Sequence, residues 1–74
     1  MSDTPYLIVN GERQSYGEAN PLPSTVTRLL QHMGLEGIIL VAEVDGAVAP
    51  RGAFDTTPLQ SGSKVELVRF VGGG

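Results

Sequence analysis

Two kinds of apolar spacing alternate along this chain. Tyr6-Leu7-Ile8-Val9 is a short β-rich run, and Asn10-Gly11 follows at once. Asn-Gly supplies the positive φ angles of a tight hairpin, so Arg13 to Tyr16 is expected to return as a second strand. Gly17 to Pro23 holds Gly, Asn and two prolines and reads as a loop. Ser24-Thr25 then offers an N-cap hydroxyl, and Val26, Leu29, Leu30 and Met33 follow at i, i+3, i+4 and i+7, the spacing of one helix stripe. Gly34 stands where a left-handed C-cap glycine belongs. Ile38 to Val44 is apolar except for Glu43 and runs into Asp45-Gly46, a second hairpin signal. Pro50 to Ser61 is irregular, with Pro58-Leu59 and Ser61-Gly62 as turn punctuation, and Lys64 to Val71 reads as the last strand.

The helix is short and one-sided, so it must lie on a sheet. Hairpin, helix, strand, turn and last strand in that order predict an α+β fold: a mixed four- to five-stranded sheet with one helix packed on one face. Alternation then sorts the strand residues. With Val65 and Leu67 toward the helix, Val68 and Phe70 point away from it. Leu7 and Val9 are expected inward and Ile8 outward; Leu40, Ala42 and Val44 inward; Val41 and Glu43 outward. Ile8, Val41, Val68 and Phe70 would share the uncovered face if the first and last strands are neighbours. An open sheet face is ordinarily polar, so this cluster predicts a docking surface.

Composition narrows the possible chemistry. Seventy-four residues allow one domain, here residues 1–71 with 1–5 as a frayed lead-in, followed by a flexible glycine tail at 72–74. A chain this short buries only about 60% of its unfolded surface, leaving little room for a deep active site beside a core. With no cysteine and one histidine, neither a thiolate metal site nor a nucleophile triad can be assembled. His32 falls beside Arg28 and Thr25, off the apolar stripe, and is expected in solvent. A net charge of −3 with scattered acids and bases argues against nucleic acid as partner. No apolar run approaches the roughly 20 residues of a membrane span, and the start lacks a signal region. A cytoplasmic protein, monomeric when free, is the expectation.

What remains for function is the end. Gly72-Gly73-Gly74 directly follows a strand. Glycines contribute nothing to packing and lose the most backbone entropy when fixed. They suit a reactive end that must thread a narrow channel in another protein, because without a Cβ the backbone approaches catalytic groups closely. A terminal carboxylate acylates poorly until ATP converts it into a mixed anhydride with AMP, which a persulfide or an amine can then attack. Two other readings of the tail are a disordered end and a linker remnant.

Several segments together resemble the sulfur carriers of thiamine biosynthesis (ThiS-type), within the ubiquitin-like β-grasp fold. They are Val9-Asn10-Gly11, Thr25-Val26 with Leu29-Leu30, Val44-Asp45-Gly46 with Val48 and Pro50-Arg51, Thr57-Pro58-Leu59, and Gly62 through Val65-Glu66-Leu67-Val68-Arg69 to Val71-Gly72-Gly73-Gly74. Each is weak alone; their order and spacing carry the resemblance from Leu7 to Gly74. Many relatives have an acidic pair around the last turn glycine, where this chain has Ser61-Gly62-Ser63, and Asn-Gly where it has Asp45-Gly46. The resemblance implies a carrier, not an enzyme, with no catalytic residue or bound cofactor of its own. Gly74 would be adenylated by an E1-like adenylyltransferase (ThiF-type) using ATP and magnesium, and a sulfur donor protein would make it a thiocarboxylate. Thiazole synthase (ThiG-type) would take the sulfur, with Gly72 and Gly73 threading the tail and Ile8, Val41, Val68 and Phe70 docking. Carriers for molybdopterin or cysteine synthesis, a ubiquitin-like modifier and a plain interaction module are the alternatives.

Overall fold

The structure is a computed structural model and describes residues 4–69. Part of the expected lead-in (1–3), together with Phe70, Val71 and the three tail glycines, lies outside the described residues. Five strands form one mixed sheet: β1 (Tyr6–Val9), β2 (Glu12–Ser15), β3 (Ile39–Val44), β4 (Ala47–Pro50) and β5 (Lys64–Arg69), in the order β2-β1-β5-β3-β4. Among the described residues one α-helix, α1 (Val26–Met33), covers one face, and a 3₁₀ helix spans Arg51–Thr56.

Both hairpins are made by their dipeptides. Val9 pairs with Glu12 and Val44 with Ala47, leaving two-residue turns. Asn10 and Gly11 have φ of 49° and 84°, and Asp45 and Gly46 of 50° and 87°, the double positive φ of a type I′ turn. Helix α1 starts where the Thr25 side chain accepts from the Arg28 amide at 3.2 Å. It ends at Gly34 (φ 72°), whose amide donates to Gln31, while Leu35 N–H donates to Leu30 C=O at 2.8 Å. This is a Schellman closure, and Leu35 and Leu30 both join the core across it.

The core is a single layer between helix and sheet. Val26, Leu29 and Leu30 of α1 pack with Leu7, Val9, Ile39, Ala42, Val65 and Leu67 of the sheet, and Phe54 and Leu59 close the side. Phe54 comes from the stretch that reads as irregular in sequence, where its 3₁₀ turn brings it beneath the helix. That turn is tied off by Thr57, whose hydroxyl donates to Ala53 C=O at 2.6 Å. Met33, on the expected stripe, is 37% exposed. It belongs to the last turn, and Leu35 packs on the core just beyond the cap.

One strand departs from simple alternation. The register between β3 and β5 slips between Ile39 and Val41, because Ile39 faces Arg69 while Val41 faces Val68. Leu40 is the extra residue of a β-bulge. The expectation that Leu40 points inward is therefore corrected: Leu40 is 46% exposed and Ile39, at 2%, fills the core. Alternation counted back from Ala42 cannot see an inserted residue.

The two sheet edges are blunted in different ways. In β4 the hydrogen-bonded pairs fall on Ala47 and Ala49, so Val48 and Pro50 turn their backbones to the free edge, and proline has no N–H to offer. In β2 the edge carries Glu12 and Arg13.

The bulge has a measurable signature. Ile39→Ala is expected to cost about 2–4 kcal/mol and Leu40→Ala under about 1 kcal/mol, by denaturant midpoints at constant m-value. Equal costs would contradict the inserted-residue register.

Candidate functional site

The strand that leads into the glycine tail is the central strand of the sheet. β5 runs parallel to β1 on one side and antiparallel to β3 on the other. Ile8 N–H donates to Ser63 C=O at 3.0 Å and Asn10 N–H to Val65 C=O at 2.8 Å. Beyond Asn10 the chain turns away into β2, which would orphan the next β5 amide facing that side. The Asn10 side chain takes the missing strand's place, its Oδ1 accepting from Leu67 N–H at 2.8 Å. The other hairpin does the same at the opposite end. Asp45 N–H donates to Lys64 C=O and Asp45 Oδ1 accepts from Lys64 N–H, both at 2.8 Å. Each turn residue thus makes its own hairpin and clips β5. Sequence reasoning found the turns but missed the clips, because the second partner lies 57 residues away for Asn10 and 19 for Asp45.

The preceding turn is fastened too. Gly62 N–H donates to Tyr6 C=O at 2.8 Å, and Tyr6 N–H to the Ser61 hydroxyl at 3.1 Å. Ser63 is buried, and its hydroxyl accepts from the Gln60 amide at 3.2 Å. The departure at Ser61-Gly62-Ser63 thus has a local use: both serine hydroxyls satisfy backbone amides.

The open face is organised in rows across the strands, since paired residues share a face. Val68, Val41 and Pro50 form the row nearest the end of β5, with Leu40 exposed beside them. Glu66, Glu43 and Val48 form the next outward row, and Lys64, Ile8 and Arg13 the one after. Val41 and Val68 are therefore direct cross-strand partners. Ile8 lies on the same face but does not join them: it sits opposite Lys64, roughly 13 Å along β5 from Val68 at about 3.3 Å per residue, with the glutamate row between. Phe70 and Gly72 to Gly74 lie outside the described residues.

Other candidates sit elsewhere. His32 is exposed on α1, its ring 6.0 Å from that of Tyr16 in an edge-on contact. Burial pushes the Tyr16 phenol above its ordinary range. Arg51 lines an open recess of ≈ 210 Å³ with Thr27, Glu36 and Asp55, over a floor of Leu30, Ile39 and Phe54. Among the described residues no group of three or more His, Asp or Glu is placed to hold a metal ion, and no helix is long and apolar enough to cross a membrane.

A secured strand leading into three glycines, beside an apolar row on an uncovered face, is the arrangement against which known proteins can be compared. A sequence model of the ThiS family matches residues 7–74, nearly the whole chain. The chain belongs to the ThiS family. Its fold is similar to the crystal structure of the thiamine biosynthesis protein ThiS from Geobacter metallireducens, with a TM-score of 0.69 and 34% identity over 93% of this chain and 99% of that one. It is also 28% identical over 68 residues to a thiazole synthase from Paramagnetospirillum magneticum. That match takes in 92% of this chain but only 20% of the synthase, so this ThiS-family chain spans about a fifth of that relative's length.

The Asn10 clip is open to a direct test. Asn10→Ala removes one hydrogen bond and places alanine at positive φ, an expected loss of about 1.5–3 kcal/mol. Asn10→Gly keeps the φ and loses the bond; Asn10→Asp keeps both. Amide exchange at Leu67 should speed up in the first two variants only.

Proposed function

We propose that this chain is the sulfur carrier protein of thiamine (thiazole) biosynthesis, and that its working group is the carboxylate of Gly74. The observation that carries the proposal is the ThiS-family match, which runs from residue 7 through Gly74 and so takes in the glycines that follow β5. The chain acts as a protein co-substrate. An E1-like adenylyltransferase (ThiF-type) supplies ATP and magnesium; the carboxylate oxygen attacks the α-phosphorus, pyrophosphate leaves, and an acyl-adenylate forms at Gly74. A persulfide on a sulfur donor protein then attacks the acyl carbon and expels AMP. A second thiol cleaves the resulting acyl disulfide, releasing the thiocarboxylate. Thiazole synthase (ThiG-type) receives that sulfur. The similarity of this chain to part of a thiazole synthase supports such a partner.

In this reading the fold's task is to present an end. β3 holds β5 as far as Arg69, and β1 with the Asn10 side chain holds it as far as Leu67. Gly72 and Gly73 let the backbone thread a channel without side-chain clashes. Val68 and Val41 give the partner an apolar contact on the strand that precedes the tail, and Phe70 is assigned to the same contact. Ile8, opposite Lys64, is a separate contact at the far end of the face.

Intact mass after incubation with a ThiF-type enzyme, ATP and a sulfur donor tests the proposal. The expected result is a gain equal to exchange of one oxygen for sulfur, on the Gly74 peptide, consumed when thiazole synthase and its substrates are added. Deleting Gly73-Gly74 should abolish the gain and leave the melting temperature unchanged. A thiocarboxylate that thiazole synthase does not consume would point to molybdopterin or cysteine synthesis. Lysine conjugates on other proteins would point to a modifier.

A further inference from the structure

An acyl-adenylate at Gly74 is open to any nucleophile within reach, including those of a second copy of the same chain. A lysine amine attacking the acyl carbon would expel AMP, lose a proton to solvent and leave a Gly74–lysine isopeptide that can carry no sulfur. The chain holds few side chains able to do this. Its basic residues are Arg13, Arg28, Arg51, Lys64 and Arg69. The four arginines keep a protonated guanidinium and have no electron pair to offer. There is no cysteine. Hydroxyls are weak nucleophiles without an activating base, and an acyl group on the His32 imidazole is lost to water. One side-chain amine remains, that of Lys64.

Lys64 shares an open recess with Glu43, Asp45 and Glu66. Three carboxylates against one ammonium give it a net charge of −2 (1 − 3). Asp45 is fixed there, its Oδ1 accepting from Lys64 N–H at 2.8 Å, and Glu43 and Glu66 face each other across β3 and β5. An acyl-adenylate carries a negative phosphoryl group, so the recess repels it over a Debye length, about 10 Å at 0.1 M salt. Position acts in the same direction. Lys64 opens β5, roughly 17 Å from Arg69 at about 3.3 Å per residue, and the glycines follow the other end of the strand.

We infer that the chain is protected against acylating its own copies: its one lysine is set in an acidic recess that repels the anionic acyl-adenylate, and its other basic positions are arginine. The inference rests on the carrier reading above and names the competing reaction that this surface excludes. Arginine supplies the charge of a lysine without the nucleophile, so the activated end of Gly74 is left for sulfur.

Two measurements on the full chain test this. The first needs no activating enzyme. Acetylation of Lys64, read by peptide mass, is followed with acetyl-adenylate, which is anionic, and with the neutral N-hydroxysuccinimidyl acetate. The ratio of the two rates cancels the reactivity of the amine itself. In Glu43→Gln/Glu66→Gln that ratio should rise roughly three- to tenfold at low ionic strength, and the difference from wild type should vanish near 1 M salt, where the Debye length is about 3 Å. An unchanged ratio overturns the inference. In the second, chain, ATP and a ThiF-type enzyme are incubated without a sulfur donor, and covalent dimers are sought at the mass of two chains less one water. Wild type should give none joined through Lys64. Arg28→Lys should give dimers joined at position 28, because that position lines a recess with Asn20, Ser24 and His32 and no carboxylate among the described residues. Pyrophosphate release without dimers from Arg28→Lys overturns the inference, as does wild type dimerising through Lys64 as readily as the variant does through position 28. A wild type that releases no pyrophosphate overturns the carrier reading, and with it the use of the recess, whatever the acetylation ratio.

Discussion

Everything in this fold is arranged around β5, the last strand in sequence and the middle strand in space. A central strand needs partners on both sides for its N–H and C=O groups; β3 supplies them from Val65 to Arg69, and β1 only beside Lys64 and Val65. Neither neighbour reaches far enough. β1 ends at Val9 and β3 at Val44, and at each shortfall the next residue, Asn10 or Asp45, completes the ladder with its side-chain oxygen. Both residues also hold the positive φ of their hairpin turns. Asparagine and aspartate are the side chains that tolerate this conformation and carry an acceptor on a short arm. The strand that leads to the chain's glycines is thereby gripped by the earliest and the middle parts of the sequence at once.

The same arrangement decides what the two faces can do. Helix α1 covers the side bearing Val65 and Leu67, so the other side of β5 is left to solvent or to a partner. Its rows are chemically distinct: apolar toward the tail, acidic in the middle, basic and aromatic at the far end. The bulge at Leu40 reinforces the first of these. By sending Ile39 inward it fills the core beside Leu30 and Phe54, and by turning Leu40 outward it adds apolar surface next to Val41. One inserted residue therefore serves packing on one face and the candidate docking row on the other.

The contrast between α1 and β3 shows where reading a sequence succeeds. The helix is bounded by local events: a threonine cap three residues from its amide partner, an i, i+3, i+4 stripe, and a glycine at left-handed φ. Each depends on neighbours within one or two turns, so the sequence states them directly. β3 is apolar almost throughout, and alternation has nothing to anchor it at Ile38-Ile39-Leu40-Val41. Which of those residues faces inward depends on the room left beneath Leu30 and Phe54, residues from other elements. For the same reason the layout of the uncovered face was not legible. Ile8, Val41 and Val68 do share a face, yet the register between β1 and β5 sets Ile8 beside Lys64, away from the other two.

The sequence by itself determined the hairpins, the helix and its caps and the α+β class, because each rests on short-range sterics, periodicity or composition. Only the tertiary structure decided that Asn10 and Asp45 clip β5, that Leu40 is an inserted residue, that Phe54 enters the core from a 3₁₀ turn, and that two glutamates oppose each other at the centre of the open face. These are consequences of register between segments distant in the chain. Register is set by how side chains of several elements fill one common volume, a sum to which no single stretch of sequence holds all the terms.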